Sequence, residues 1–124
     1  MAKKYLSELK LAEEFIQMAE DNLESSLRTS ANRVYFALEK AVIAFLLFKG
    51  VVVPKNHQKI WELSSEFLGE EYYQNLRELY DLRMQADYGV VSVIIDFNEK
   101  IVREKIGIVR NLIRKIERGI LNEK

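Results

Sequence analysis

Val34-Tyr35-Phe36-Ala37-Leu38-Glu39-Lys40-Ala41-Val42-Ile43-Ala44-Phe45-Leu46-Leu47-Phe48 is apolar on almost every side when wound at helical spacing, broken only by Glu39-Lys40. A helix that is greasy all round must be covered all round, by neighbours in its own chain or by a second subunit. That makes it the central helix of a bundle, with bounds of roughly Arg28 to Lys49. Gly50 stands where a helix C-terminus places glycine. Val51-Val52-Val53-Pro54 reads as an extended connector, because the residue before proline is pushed out of the helical region.

The flanking sequence supplies the cover. Tyr5, Leu9, Ala12, Ile16, Ala19 and Leu23 recur at spacings of 4-3-4-3-4, which predicts a first helix over about Lys4 to Glu24. Ser25-Ser26 offers turn and cap chemistry before the central helix. Val102, Ile106, Val109, Ile113, Ile116 and Ile120 repeat the same spacing, so a last helix is expected to start at Asp96, with Glu99 completing a capping box. Between them, Asn56 is a candidate cap for a third helix carrying Ile60, Leu63 and Phe67 and closed by Gly69. A fourth helix covers about Glu71 to Asp87, with Gly89 as its stop. Val90-Val91-Ser92-Val93-Ile94-Ile95 has strand character but nothing to pair with. It reads as an extended apolar loop packed on the bundle or on a partner. The expected fold is all-α: an antiparallel up-and-down bundle of four long helices plus a shorter one, one domain over residues 1–124.

Composition closes several function classes. Lys+Arg and Asp+Glu are both 19, so bulk charge offers nothing to a polyanion, and any nucleic-acid contact needs a local cluster. There is no cysteine and one histidine, which removes disulfides, thiolate sites and two-histidine metal sites. No glycine-rich phosphate loop appears, and neither a cofactor nor a metal is expected. Apolar runs stay far below the roughly 20 residues that span a membrane. The expectation is a soluble, cytoplasmic protein without a membrane partner. Helix 2 and the Val90–Ile95 segment carry more apolar surface than a small bundle easily hides, so a homodimer is expected.

The fourth helix holds an oddity. Its stripe reads Tyr72, Leu76, Leu79, Arg83, Ala86, with a fixed cation where leucine would serve. Asp87, one turn on, lies near a helix C-terminus, where the macrodipole disfavours a carboxylate. Arg83 and Asp87 are i,i+4 partners with Tyr88 beside them, either a plain ion pair or part of a recognition site. Asn32, Tyr35 and Glu39 form a polar seam along helix 2, with Arg33 adjacent. That seam is either a buried hydrogen-bond network fixing helix register or the wall of a pocket facing Arg83. His57, at the start of helix 3, is the single imidazole. Trp61 and the tyrosines at helical spacing read as core.

Three segments, Ala31-Asn32-Arg33-Val34-Tyr35-Phe36-Ala37, the turn Pro54-Lys55-Asn56-His57, and Leu82-Arg83-Met84-Gln85-Ala86-Asp87-Tyr88, together resemble the HEPN domain family in order and spacing, across nearly the whole chain. The resemblance implies an antiparallel bundle that dimerises and a link to nucleotides or RNA. Many members are metal-independent ribonucleases, often toxins neutralised by a small partner nucleotidyltransferase. Their hallmark is an arginine followed four to six residues later by histidine, at a cleft between two subunits. Arg83 matches the arginine, and Tyr88 stands in the histidine position. Tyrosine is a poor general base near neutral pH, its ordinary pKa being about 10. The resemblance therefore implies first a dimeric module that binds a nucleotide, an RNA or a nucleotidyltransferase partner. There Arg83 meets phosphate, and Asn32, Arg33, Tyr35, Asp87, Tyr88 and His57 are the candidate ligand contacts. The alternative it implies is an endoribonuclease toxin of a toxin–antitoxin pair, with Arg83 and Tyr88 as the catalytic pair in a composite dimer cleft.

Overall fold

The computed structural model describes residues 3–92 and 94–122. Five helices follow one another: α1 (Lys4–Asp21), α2 (Leu27–Phe48), α3 (His57–Leu68), α4 (Glu70–Tyr88) and α5 (Glu99–Asn122). Among the described residues there is no strand, and no helix is long and apolar enough to cross a membrane.

α2 is the axis of the bundle. It packs against α1, α3, α4 and α5, and Ala31, Val34, Tyr35, Ala37, Leu38, Ala41, Val42, Ala44 and Leu46 lose all contact with solvent. Its cover comes from its own chain, so α2 is not a source of surplus apolar surface. Exposed apolar side chains gather at the end of α4 and in the loop after it, at Tyr88, Val90, Ile94 and the 96% exposed Val91, while Leu6, Met18, Val52, Phe67, Ile108 and Leu121 are exposed singly elsewhere. Ile95 and Phe97 turn back onto the core. Val93 lies outside the described residues.

The periodic stripes of α1 and α5 bury as spaced, with Tyr5 half-buried against the ring of Phe48. Helix ends differ by local chemistry. α1 stops at Asp21 because Asn22 turns its side-chain amide back onto the Met18 carbonyl at 2.8 Å. Ser26 caps α2 and Asn56 caps α3, each accepting from a backbone amide three residues on (3.2 and 3.1 Å). α5 does not begin at Asp96. Asn98 takes the capping role, its Oδ1 accepting from the Ile101 amide at 2.9 Å, and the chain before it stays extended to seat Ile95 and Phe97. Glu99 then forms an ion pair with Arg103 instead of a capping box. Gly69 alone separates α3 from α4, at φ 119°, and Gly89 ends α4 at φ 67°; both lie in the left-handed region where a side chain is strained.

α4 holds the main correction to the expected stripes. Leu82, not Arg83, faces the core and is fully buried, while Arg83 lies at the stripe's edge. A period of 3.6 leaves either residue eligible, and the apolar one goes inward. α4 and α5 are tied by polar contacts: buried Lys105 donates to Asn75 at 2.7 Å and pairs with Glu78. The Tyr72 hydroxyl donates to the Leu112 carbonyl at 3.4 Å, and burial pushes that phenol up to about 12.

α1 and α5 meet at a pair of like charges. Partial burial, then the neighbouring carboxyl of Glu13, raises the Glu117 carboxyl above its ordinary range. The folded state therefore holds a proton that the unfolded chain releases. The resulting stability is present below the ordinary carboxylate range and is lost as pH rises through the raised value. Glu117→Gln should raise the melting temperature near neutral pH by roughly 1–2 °C, the effect being limited by solvent screening. The gain should vanish near pH 4, which thermal melts of both proteins across pH will show.

Candidate functional site

The N-terminal half of α2 and the C-terminal turns of α4 lie side by side and bring five polar residues together: Arg28, Asn32 and Arg33 from α2, and Arg83 and Asp87 from α4. The Arg83 guanidinium sits over the ring of Phe36, 4.9 Å from its centroid, and 5.5 Å from that of Tyr80. Cation–π contact of this kind holds an arginine flat at modest desolvation cost. Its Nε lies 3.3 Å from Asp87 Oδ2, in an ion pair outside directed hydrogen-bond geometry. Its terminal nitrogens are neither fully buried nor hydrogen-bonded among the described residues, and the side chain as a whole is 17% exposed. The side chain is thus held by the two rings and by the ion pair at Nε.

Asp87 is held from two sides, by Arg83 and by Asn32, whose Nδ2 donates to Oδ2 at 2.9 Å. These partners offset the unfavourable placement of a carboxylate at a helix C-terminus. Arg33 donates to Asn32 Oδ1 at 2.5 Å and lies over Phe15 of α1, 5.5 Å from its centroid. Arg28 donates to the Ala86 carbonyl, placing a cation on the carbonyl end of α4. Arg28, Thr29, Asn32, Arg33, Ala86 and Asp87 line an open cleft of about 400 Å³; Arg83 does not line it and is linked to it through its ion pair with Asp87. Three arginines against one carboxylate make a local positive charge in a chain whose total is zero.

Behind Arg83, across Tyr80, lies a buried network. The Tyr35 hydroxyl donates to Glu39 Oε2 at 2.5 Å and accepts from Trp61 Nε1 at 3.1 Å. His57 Nδ1 lies 2.6 Å from the same Oε2 and 3.2 Å from the Tyr35 hydroxyl. An ionised carboxylate can only accept, so the tyrosine and the imidazole both give it protons. Burial, and next the Glu39 charge, push the Tyr35 phenol far above its ordinary range, which keeps it a neutral donor. His57 stacks against Tyr80, ring centroids 5.5 Å apart. Tyr80 is therefore a shared wall, with Arg83 and His57 each at 5.5 Å.

The structure thus gathers Asn32, Arg33 and Asp87 in one cleft, with Arg83 paired to Asp87 beside it, and Tyr35, Glu39 and His57 in a separate network. The polar seam of α2 serves both: Asn32 faces the cleft, while Tyr35 and Glu39 face inward. Tyr88 joins neither group. It is 65% exposed at the last turn of α4 and makes no side-chain hydrogen bond among the described residues. Arg28, Phe36 and Tyr80 escaped the sequence reading. Arg28 is i,i+4 to Asn32, a spacing that places both on one face. Phe36 and Tyr80 looked like ordinary apolar positions. Among the described residues, no three His, Asp or Glu side chains gather to hold a metal.

A model of the HEPN domain matches residues 6–119, nearly the whole chain. The chain belongs to the HEPN family. Its three characteristic segments fall on the two groups just described: the α2 segment and the α4 segment form the arginine cleft of this HEPN domain, and the turn before α3 delivers His57. No curated protein matches the chain closely enough to carry a function across from it.

The inward network should be structural in part. Tyr35→Phe leaves Trp61 Nε1 without its acceptor and Glu39 with one donor fewer, and should cost about 1–3 kcal/mol in urea unfolding. Asn32→Ala, at the open cleft, should cost less than about 0.5 kcal/mol.

Proposed function

We propose that this HEPN domain is a phosphate-binding module that takes a nucleotide or RNA in the arginine cleft and works as a homodimer. The observation that carries the reading is the state of Arg83. A guanidinium stacked on two rings, ion-paired at Nε and with no protein hydrogen bond at its terminal nitrogens among the described residues can receive a two-oxygen anion such as a phosphate. Arg28 and Arg33 add charge at the same cleft. An arginine kept only for packing would turn its terminal nitrogens onto protein acceptors.

Binding is favoured over hydrolysis by Tyr88. In the nuclease reading that residue does the work of the hallmark histidine, yet it stands in solvent with no neighbour to activate it. The exposed apolar side chains of Tyr88, Val90, Val91 and Ile94 support association of two copies. A nucleotidyltransferase partner, the protein companion of many family members, is proposed on family membership alone.

Arg83→Ala should weaken binding of a short single-stranded RNA by about tenfold or more and lower the salt slope by about one unit. Arg83→Lys should recover only part of it, because the fork is lost. Fluorescence anisotropy over a salt series measures both. If Arg83→Leu raises the melting temperature and leaves binding unchanged, the cleft is a scaffold and the reading fails. RNA incubated with the protein and a chelator should stay intact; cleavage abolished by Arg83→Ala would establish a nuclease instead. Light scattering should give a dimer at micromolar concentration, and a monomer would remove any composite cleft.

A further inference from the structure

His57 is the only histidine in the chain, and it is held more carefully than a surface imidazole requires. Its Nδ1 lies 2.6 Å from Glu39 Oε2, and the Glu39 side chain is only 6% exposed. The Tyr35 hydroxyl donates to the same oxygen, so the carboxylate is held from two sides. With the Nδ1 proton committed to Glu39, the free lone pair of a neutral imidazole lies on Nε2. The ring is 38% exposed, and Nε2 has no hydrogen-bond partner among the described residues. Neutralising Glu39 needs Nδ1 alone; it does not need Nε2 left clear at the mouth of a cleft.

That cleft has a volume of about 250 Å³ and is lined by Asn56, His57, Gln58, Trp61 and Tyr80. None of the other four carries a charge. Asn56, His57 and Gln58 are the cap and the first two residues of α3, so the cleft lies at the positive end of a 12-residue helix. The backbone amides of His57 and Gln58 have no acceptor among the described residues. Asn56 Oδ1 accepts from the Lys59 amide, which leaves its NH₂ free to donate. An oriented nitrogen lone pair thus stands beside donors suited to a small dianion.

We propose that His57 is a modification site, its Nε2 accepting a phosphoryl group from a donor of the phosphoramidate class, in which phosphorus is carried on nitrogen. The Nε2 lone pair forms the new N–P bond as the donor's N–P bond breaks, and the donor's protonated nitrogen leaves as a neutral amine with that electron pair. One N–P bond replaces another, so the exchange needs no further energy source. The ring keeps its Nδ1 proton and becomes a cation, which Glu39 neutralises across the hydrogen bond. The phosphoryl oxygens meet the amides that open α3. Glu39 is a positioning residue: it touches no donor and fixes which ring nitrogen carries the lone pair. The assignment is independent of the arginine cleft, with which this cleft shares no lining residue.

The full chain is incubated with phosphoramidate at neutral pH and followed by mass spectrometry and phosphorus NMR. The folded protein should be phosphorylated at His57 at least about tenfold faster than the same chain unfolded in urea, with N-acetylhistidine in each buffer correcting for solvent. The product should be the Nε2 isomer alone, and His57→Gln should abolish it. Glu39→Gln lets the ring take either tautomer, and should slow the reaction about tenfold while the Nδ1 isomer appears.

A folded protein that reacts no faster than the unfolded chain overturns the proposal. So does an Nδ1 product from the parent, because Nδ1 is the nitrogen already committed. If Glu39→Gln folds, reacts as fast as the parent and still reacts only at Nε2, the positioning role of Glu39 is overturned. If Glu39→Gln does not fold, the rate and isomer of the parent decide alone.

Discussion

Everything in this molecule follows from covering α2. A helix apolar on every side has no stable place at a surface, and four other helices are arranged to enclose it. That enclosure also traps Glu39, a carboxylate inside a nearly dry core. A buried charge is tolerated only with partners, and the structure supplies two donors on one oxygen, the Tyr35 hydroxyl and the His57 ring. His57 reaches it because Asn56 starts α3 at that point. The need to satisfy one buried carboxylate therefore fixes where α3 begins and which way the only imidazole faces.

The arginine cleft follows a different logic. Asp87 and Arg83 each look costly in isolation, a carboxylate at the wrong end of a helix and a cation beside a core stripe. Together with Asn32 and the Phe36 and Tyr80 rings they form a set in which each cost is met by a neighbour. The terminal nitrogens of Arg83 are the part that no internal partner uses. Charge neutrality over the whole chain hides this local excess, because acidic residues elsewhere cancel the sum without screening the cleft.

The bundle was legible because hydrophobic period is a strong local signal. Val102 through Ile120 bury as spaced, and the caps at Ser26 and Asn56 stand where side-chain chemistry places them. The start of α5 was misread because Asp96 and Asn98 are both good caps, and only the packing of Ile95 and Phe97 chooses between them. Arg83 falls in the counted stripe and Leu82 does not, because a period of 3.6 cannot separate positions 82 and 83 at a stripe's edge; which way Arg83 faces was open in the sequence. That His57 and Arg83 both contact the Tyr80 ring was out of reach, because Tyr80 looks in sequence like any other half-buried aromatic on an amphipathic helix.

Arg28 and Arg83 line the same region under different constraints. Arg28 closes the carbonyl end of α4 through Ala86, so a chain that drifted with no ligand to bind would still keep it in order to fold. Arg83 has no such employment at its terminal nitrogens, and a leucine there would pack on the same two rings. Under drift the first arginine persists and the second erodes. If the cleft binds a ligand, position 83 should change no faster than position 28 among close descendants of this chain.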